Sequence, residues 1–289
     1  MKKNLFAIMA VLLATVGCTD RLFWEGNSGN ASELSSSHEI NALIEKARWG
    51  DGQAFVKLAD CYRDGKGVKQ DFVGMLSMLA QADEYGGISG IEDYLRTLPE
   101  GFNFKLIFDA VENLERKKED EATSMFKELI ARGCPDGYAI QGLIAVARGD
   151  TLEGIRLIEQ AAISGSSFAE LLQCITDWRG VTNTDVDKLT ALSDKIPFFN
   201  TILGKIYAGY EDDKLMDEPL AAHYFLKADE NACLGKLGAR WLLRYHRSGA
   251  NLPLSERDIQ RLQILAKETP EATRGLEDVI EVADTAEVE

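Results

Sequence analysis

Four pairs of residues restrict what this chain can fold into. Asp71, Asp150, Asp217 and Ser255 each stand eleven positions before an alanine, namely Ala82, Ala161, Ala228 and Ala266. Asp and Ser are favoured at helix N-termini because their side-chain oxygens accept from the orphan N–H groups of the first turn. Eleven residues make about three helical turns, so each alanine falls at the far end of the helix that its partner starts. A side chain that small lets a neighbouring helix approach closely. Glu153 follows Asp150 at the spacing of a capping box, and Pro219 falls in a first turn, where its missing N–H costs nothing. The pattern predicts two antiparallel helices per unit, with the units stacked side by side.

A second register marks where one unit ends and the next begins. KARWGDGQA (46–54), ADEYGGISG (82–90), AISGSSFA (162–169) and ADENACLGK (228–236) share a junction of small residues, and IARGCPDG (130–137) fits it more loosely. The anchors Gly50, Gly86, Gly133, Gly165 and Ala232 are 36, 47, 32 and 67 residues apart. The last interval reads as two units, because LGKIYAGY (203–210) copies LADCYRDG (58–65). Internal repeats of this period are the mark of a solenoid. The pattern resembles the Sel1-like repeat family, a relative of the tetratricopeptide repeats. The match is best over 47–86, on Leu58, Ala59, Tyr62, Gly65, Gly67, Val68, Asp71 and the Ala82…Gly86 ending. It is weaker at 203–232 and 137–165 and weakest from 88 to 130. The resemblance implies an all-α fold, a right-handed α-solenoid of about five or six hairpins across 38–289. It also implies a non-catalytic scaffold that binds another protein or peptide on a concave surface.

Gly65-Lys66-Gly67 invites a phosphate-loop reading. A dinucleotide fingerprint needs a strand before the first glycine and a third glycine after the second, and Val68-Lys69-Gln70 supplies none. The stretch is therefore a turn between two helices, with Gly67 at positive φ and Asp71 capping the second helix.

The chain opens with Lys2 and Lys3 followed by an uncharged apolar run, Leu5 to Val16. That run is too short to span a bilayer and reads as a signal peptide over 1–17. Thr15-Val16-Gly17-Cys18 resembles a bacterial lipobox, although Thr15 stands where leucine is commonest. On that resemblance Cys18 is the lipidated N-terminus of the mature chain. Residues 18–37 are then a flexible Ser/Asn/Gly-rich tether, and the protein is held at the envelope of a Gram-negative bacterium, on the outer membrane.

The formal net charge is −15. Removal of Lys2 and Lys3 leaves 30 basic against 47 acidic residues, or −17. Nucleic acid and bare anionic lipid are disfavoured as partners. Cys61, Cys134, Cys174 and Cys233 sit far apart in apolar helical stretches and read as small buried hydrophobes. His38, His223 and His246 have no ligand at metal spacing, and neither GxSxG nor SxxK is present. No catalytic residue, metal site or cofactor is expected. The alternative is an envelope enzyme acting on peptidoglycan or β-lactams, since some secreted Sel1-like proteins are linked to β-lactam binding. Their repeats carry paired cysteines, however, and Cys61 has no partner within its own repeat. The aromatics Tyr62, Phe126, Tyr207, Tyr224, Phe225 and Trp241 read as packing between hairpins.

One segment departs from the acidic balance. From Asn231 to Leu254 there is no Asp or Glu, while Lys236, Arg240, Arg244 and Arg247 form one helical stripe. Two readings are open. The stripe either docks a partner's acidic segment from a helix lining the concave side, or pairs with neighbours such as Asp229, Glu230 and Glu256.

Overall fold

The structure is a computed structural model that describes residues 31–175, 183–193, 198–210 and 213–267. Residues 1–30, with the expected signal peptide and Cys18, lie outside the described residues. The described residues form α-helices and one short 3-10 turn, with no strand among them. A leading helix, α1 (Ala31–Arg48), is followed by a first hairpin of α2 (Gly52–Asp64) and α3 (Phe72–Glu84). A short helix, α4 (Ile91–Thr97), separates it from the second hairpin, α5 (Asn103–Glu115) and α6 (Glu119–Ala131). The third hairpin is α7 (Pro135–Arg148) and α8 (Thr151–Ile163), and the fourth is α9 (Ser167–Ile175) and α10 (Asn183–Ser193). The fifth is α11 (Phe198–Tyr207) and α12 (Glu218–Asp229), and the sixth is α13 (Gly235–Arg247) and α14 (Glu256–Leu265). Successive helices pack on one another, so the chain is an α-solenoid, with six hairpins among the described residues. Two of them, the fourth and fifth, occupy the long interval between Gly165 and Ala232.

The cap-to-alanine register is realised at all four places. Asp71 accepts from Gly74 N at 2.6 Å, Asp150 from Glu153 N at 3.4 Å, Asp217 from Leu220 N at 3.0 Å and Ser255 from Asp258 N at 3.2 Å. Ala82, Ala161, Ala228 and Ala266 are fully buried. The reciprocal capping box forms at Ser255 and Asp258, not at Asp150. Glu153 instead pairs with Arg156 at 2.7 Å, an i,i+3 partner that draws its carboxylate away from the cap.

The junction anchors also have a common cause. Gly50, Gly86, Gly133, Gly165 and Ala232 all take positive φ, from 59° at Ala232 to 88° at Gly165. A left-handed residue there turns the next N–H back onto the helix end. Gly87 N reaches Ala82 O at 2.6 Å, Ser166 N reaches Ala161 O at 3.0 Å and Cys233 N reaches Ala228 O at 2.9 Å. The alanine carbonyl therefore accepts the closing bond of a Schellman motif, which fixes the four-residue interval from alanine to anchor.

Within the hairpins, glycine lets helices touch. A β-carbon on Gly74 of α3 would lie 2.6 Å from the ring of Tyr62 on α2, and one on Gly204 of α11 would lie 2.6 Å from the ring of Phe225 on α12. Gly65 ends α2 in the left-handed conformation (φ 68°), Gly67 repeats it (φ 68°), and Asp71 starts α3, so the Gly-Lys-Gly stretch is a turn. One boundary differs from the sequence reading. Helix α1 begins at Ala31, inside the stretch read as tether, because Ala31, Glu33 and Leu34 are good helix formers among the serines.

Candidate functional site

The array curls back on itself, and this brings together polar groups far apart in sequence. The first such group is a pair of carboxylates. Asp71 caps α3, Asp136 lies in the first turn of α7, and Ser166 and Ser167 begin α9. Asp136, only 8% exposed, accepts from Ser166 Oγ at 2.6 Å, and Ser166 Oγ in turn accepts from Ala169 N at 3.0 Å. Ser167 donates to the enclosed carboxylate of Asp71. Phe72 covers the junction, its ring 5.2 Å from that of Phe104 on α5 and 6.0 Å from that of Phe168 on α9. Burial, reinforced by the charge of Asp71, pushes Asp136 up to about 6, against the opposing hydrogen bond from Ser166. Burial likewise raises Asp71. The thiol of Cys134 is pushed up to about 11 by burial and by Asp136, so it stays protonated and is a poor nucleophile at neutral pH. Ser166 Oγ already donates to a carboxylate and caps a helix, so its geometry suits structure and not attack on a carbonyl.

The second group is a seam between the first and last hairpins. Arg261 of α14 donates to Asp229, at the end of α12, through both terminal nitrogens at 2.7 and 2.5 Å. Arg48 of α1 joins the same carboxylate at 3.0 Å, and Arg261 also reaches Arg48 O at 3.4 Å. Tyr85 Oη donates to Leu265 O at 2.7 Å, and Arg257 lies over the Trp49 ring at 5.7 Å.

The basic stripe borders this seam. Lys236 lies 3.9 Å from Glu84 at the end of α3, and Arg240 Nε donates to Ala266 O at 3.1 Å. Arg244 lies over the Trp241 ring at 5.8 Å. Arg240, Arg244 and Arg247 remain exposed on α13. The structure thus brings the four cations onto one helix face, as the spacing requires. It gives Lys236 and Arg240 partners at positions 84 and 266, whereas the nearby Asp229 is held by Arg48 and Arg261. Cys18 lies outside the described residues. Cys134, Cys174 and Cys233 are buried, and Cys61 is half-buried. Among the described residues, no cluster of His, Cys, Asp and Glu could hold a metal ion, and no helix is long and apolar enough to cross a membrane.

A third feature escaped the sequence reading. Leu152, Ile155 and Ile163 lie along one face of α8 and are 85%, 44% and 88% exposed. With Glu159 they occupy positions i, i+3, i+7 and i+11, one stripe of the helix. The apolar residues Leu157, Ile158 and Ala161 of the same helix face the core. A helix that is apolar on both sides gives a signal blurred between core and surface, but that doubling is itself readable.

No family model matches the sequence, and no curated protein matches it. Among solved structures the chain is similar to the crystal structure of a protective antigen present in uropathogenic Escherichia coli strains, which displays an SLR fold. The two share 16% identity with a TM-score of 0.38, over 88% of this chain and 64% of the other. This chain thus spans less than two thirds of that protein.

Proposed function

We propose that this chain is a non-catalytic binding scaffold, held at the outer membrane of a Gram-negative bacterium by acyl chains on Cys18, that captures a partner protein on α8. The exposed stripe of Leu152, Ile155 and Ile163 carries the reading. Single exposed aliphatics are ordinary, but three along one face of a packed helix, broken by Glu159, form an apolar stripe that a partner can cover. The occupant is an amphipathic helix with basic flanks. Its apolar face would bury the stripe, and its cations would complement a mature chain with 30 basic against 47 acidic residues, or −17.

A photocrosslinker at Ile155 in cells, followed by sequencing of the crosslinked peptide, tests this. Capture of a basic amphipathic segment that is lost in Leu152→Glu/Ile163→Glu, with melting unchanged, supports it. Capture of a second copy of the chain makes the stripe a self-association face, and no specific capture overturns the reading. The anchor has its own test. Wild type should label with a fatty-acid probe, and Cys18→Ala should leave membranes or persist as precursor. Unlabelled wild type cleaved elsewhere removes the anchor from the proposal.

A further inference from the structure

Asp71 and Asp136 do something that neither a cap nor a partner-binding face requires. They come from the first and third hairpins, yet each grips one of two consecutive serines of the fourth. Between them they hold α9 against α3 and α7 at a junction closed by Phe72, Phe104 and Phe168. Other titratable groups lie near these carboxylates, among them Glu170 in the first turn of α9. Lys69 precedes α3, with its Nζ 3.6 Å from where Gly165 would carry a β-carbon, and Cys134 Sγ lies 3.9 Å from Asp136. Arg132, at the end of α6, acts on Cys134. From α5, the Phe104 ring packs against Phe72.

We propose that Asp136 and Asp71 form a proton-dependent latch, which clamps the fourth hairpin onto the first and third in mild acid and loosens as the medium becomes neutral. Two enclosed carboxylates in mutual electrostatic reach cannot both ionise without cost, and Lys69 is one cation against two anions. With a proton at the junction, a single negative charge remains and the protonated carboxyl can itself donate. With both ionised, the Ser166 and Ser167 hydroxyls and the Gly74 N–H must hold two like charges at an apolar seam.

The direction of the pH dependence follows from linkage. An Asp in the unfolded chain titrates near 3.9, whereas Asp136 in the fold titrates at about 6. The folded state therefore binds more protons across that interval. The stability from this proton is fully present below about pH 4 and is lost as pH rises through about 6. The separation of about two units limits the change in opening equilibrium to about a hundredfold.

The experiment uses the full chain. Amide exchange of α9 and α3, corrected for intrinsic rates, is followed from pH 4.5 to 7.5 in wild type and in Asp136→Asn. The latch predicts opening constants in wild type that rise tenfold or more, with a midpoint near 6. In Asp136→Asn the rise should be much smaller, with Asp71 alone left to titrate, and the variant should be at least as well protected as wild type at pH 7.5. A carboxyl-carbon titration of wild type should place Asp136 well above an ordinary aspartate. A flat wild type, an unchanged slope in Asp136→Asn, or an Asp136 midpoint near 4 would each overturn the proposal. The carboxyl titration reads wild type alone, so the idea can still fail if the variant does not fold.

Discussion

Asp229 and Arg261 meet in a two-pronged ion pair at 2.7 and 2.5 Å, with only 6% and 2% of their side chains exposed. The pair links the end of α12 to α14, and Arg48 adds α1 from a position 181 residues away. Charges taken out of water need a partner and hydrogen bonds on their remaining sites, and Asp229 obtains both from two guanidinium groups. One carboxylate thus ties three helices together where the array closes back onto its first helix.

Asp229→Ala should therefore cost about 3–5 kcal/mol, because it strands Arg261 in the interior. Chemical denaturation would measure it. The double replacement Asp229→Leu with Arg261→Met removes both charges and should recover most of that loss. If the single variant costs less than about 1 kcal/mol, the seam does not hold the array together.

A second expectation concerns the close helix crossings. Alanine is the better helix former by about 1 kcal/mol, so Gly74→Ala and Gly204→Ala would stabilise an isolated helix. Here each new β-carbon would stand 2.6 Å from an aromatic ring across the hairpin. Overpacking of that kind costs about 1–3 kcal/mol and should outweigh propensity at both sites. Thermal melts would show the loss, and Tyr62→Leu combined with Gly74→Ala should cost less than the sum of the two single changes.

The hairpins were readable in the sequence because their ends carry chemistry: an oxygen-bearing cap at one terminus and a small residue before a left-handed anchor at the other. The reading weakened over 88–130 for a physical reason. Helix α4 is inserted there, and α6 starts after Lys118, which makes no side-chain cap, with Lys117 at positive φ where a glycine would have been a signal. The seam was not readable at all. Tyr85 and Leu265 are 180 residues apart, and nothing local in either records the other. The same limit applied to the basic stripe. Periodicity placed its four cations on one face of α13, but Glu84 reaches that face through the curl of the array and Ala266 through the packing of α14 on α13.

Arg240 and Arg247 should behave differently when reversed to Glu. Arg240 satisfies the carbonyl of Ala266 just past the end of α14, where the last turn leaves acceptors without intrahelical donors. A carboxylate at that position can only repel the carbonyl, so Arg240→Glu should lower stability by about 1–2 kcal/mol. Arg247 is exposed in the last turn of α13, and its reversal should cost less than that of Arg240. Equal effects on unfolding would show that the stripe acts as one unit.

The most local prediction tests the junction anchors by conformation alone. Gly133 has φ 73°, and a β-carbon there would meet no heavy atom within 4 Å, so packing makes no contribution to the outcome. Cys134 N closes onto Leu129 O at 3.0 Å only while this residue stays left-handed. An L side chain pays about 1–2 kcal/mol to adopt that region, Asn less because its short polar group tolerates it, and a β-branched residue most. Stability should therefore fall in the order Gly133, Gly133→Asn, Gly133→Ala, Gly133→Val, with about 1 kcal/mol between the first and third. Exchange protection should drop first at the end of α6 and the start of α7, since the Schellman motif joins the second hairpin to the third. If Gly133→Val matched wild type, the backbone at the junction would not need the left-handed region, and the shared explanation of the anchors would fail.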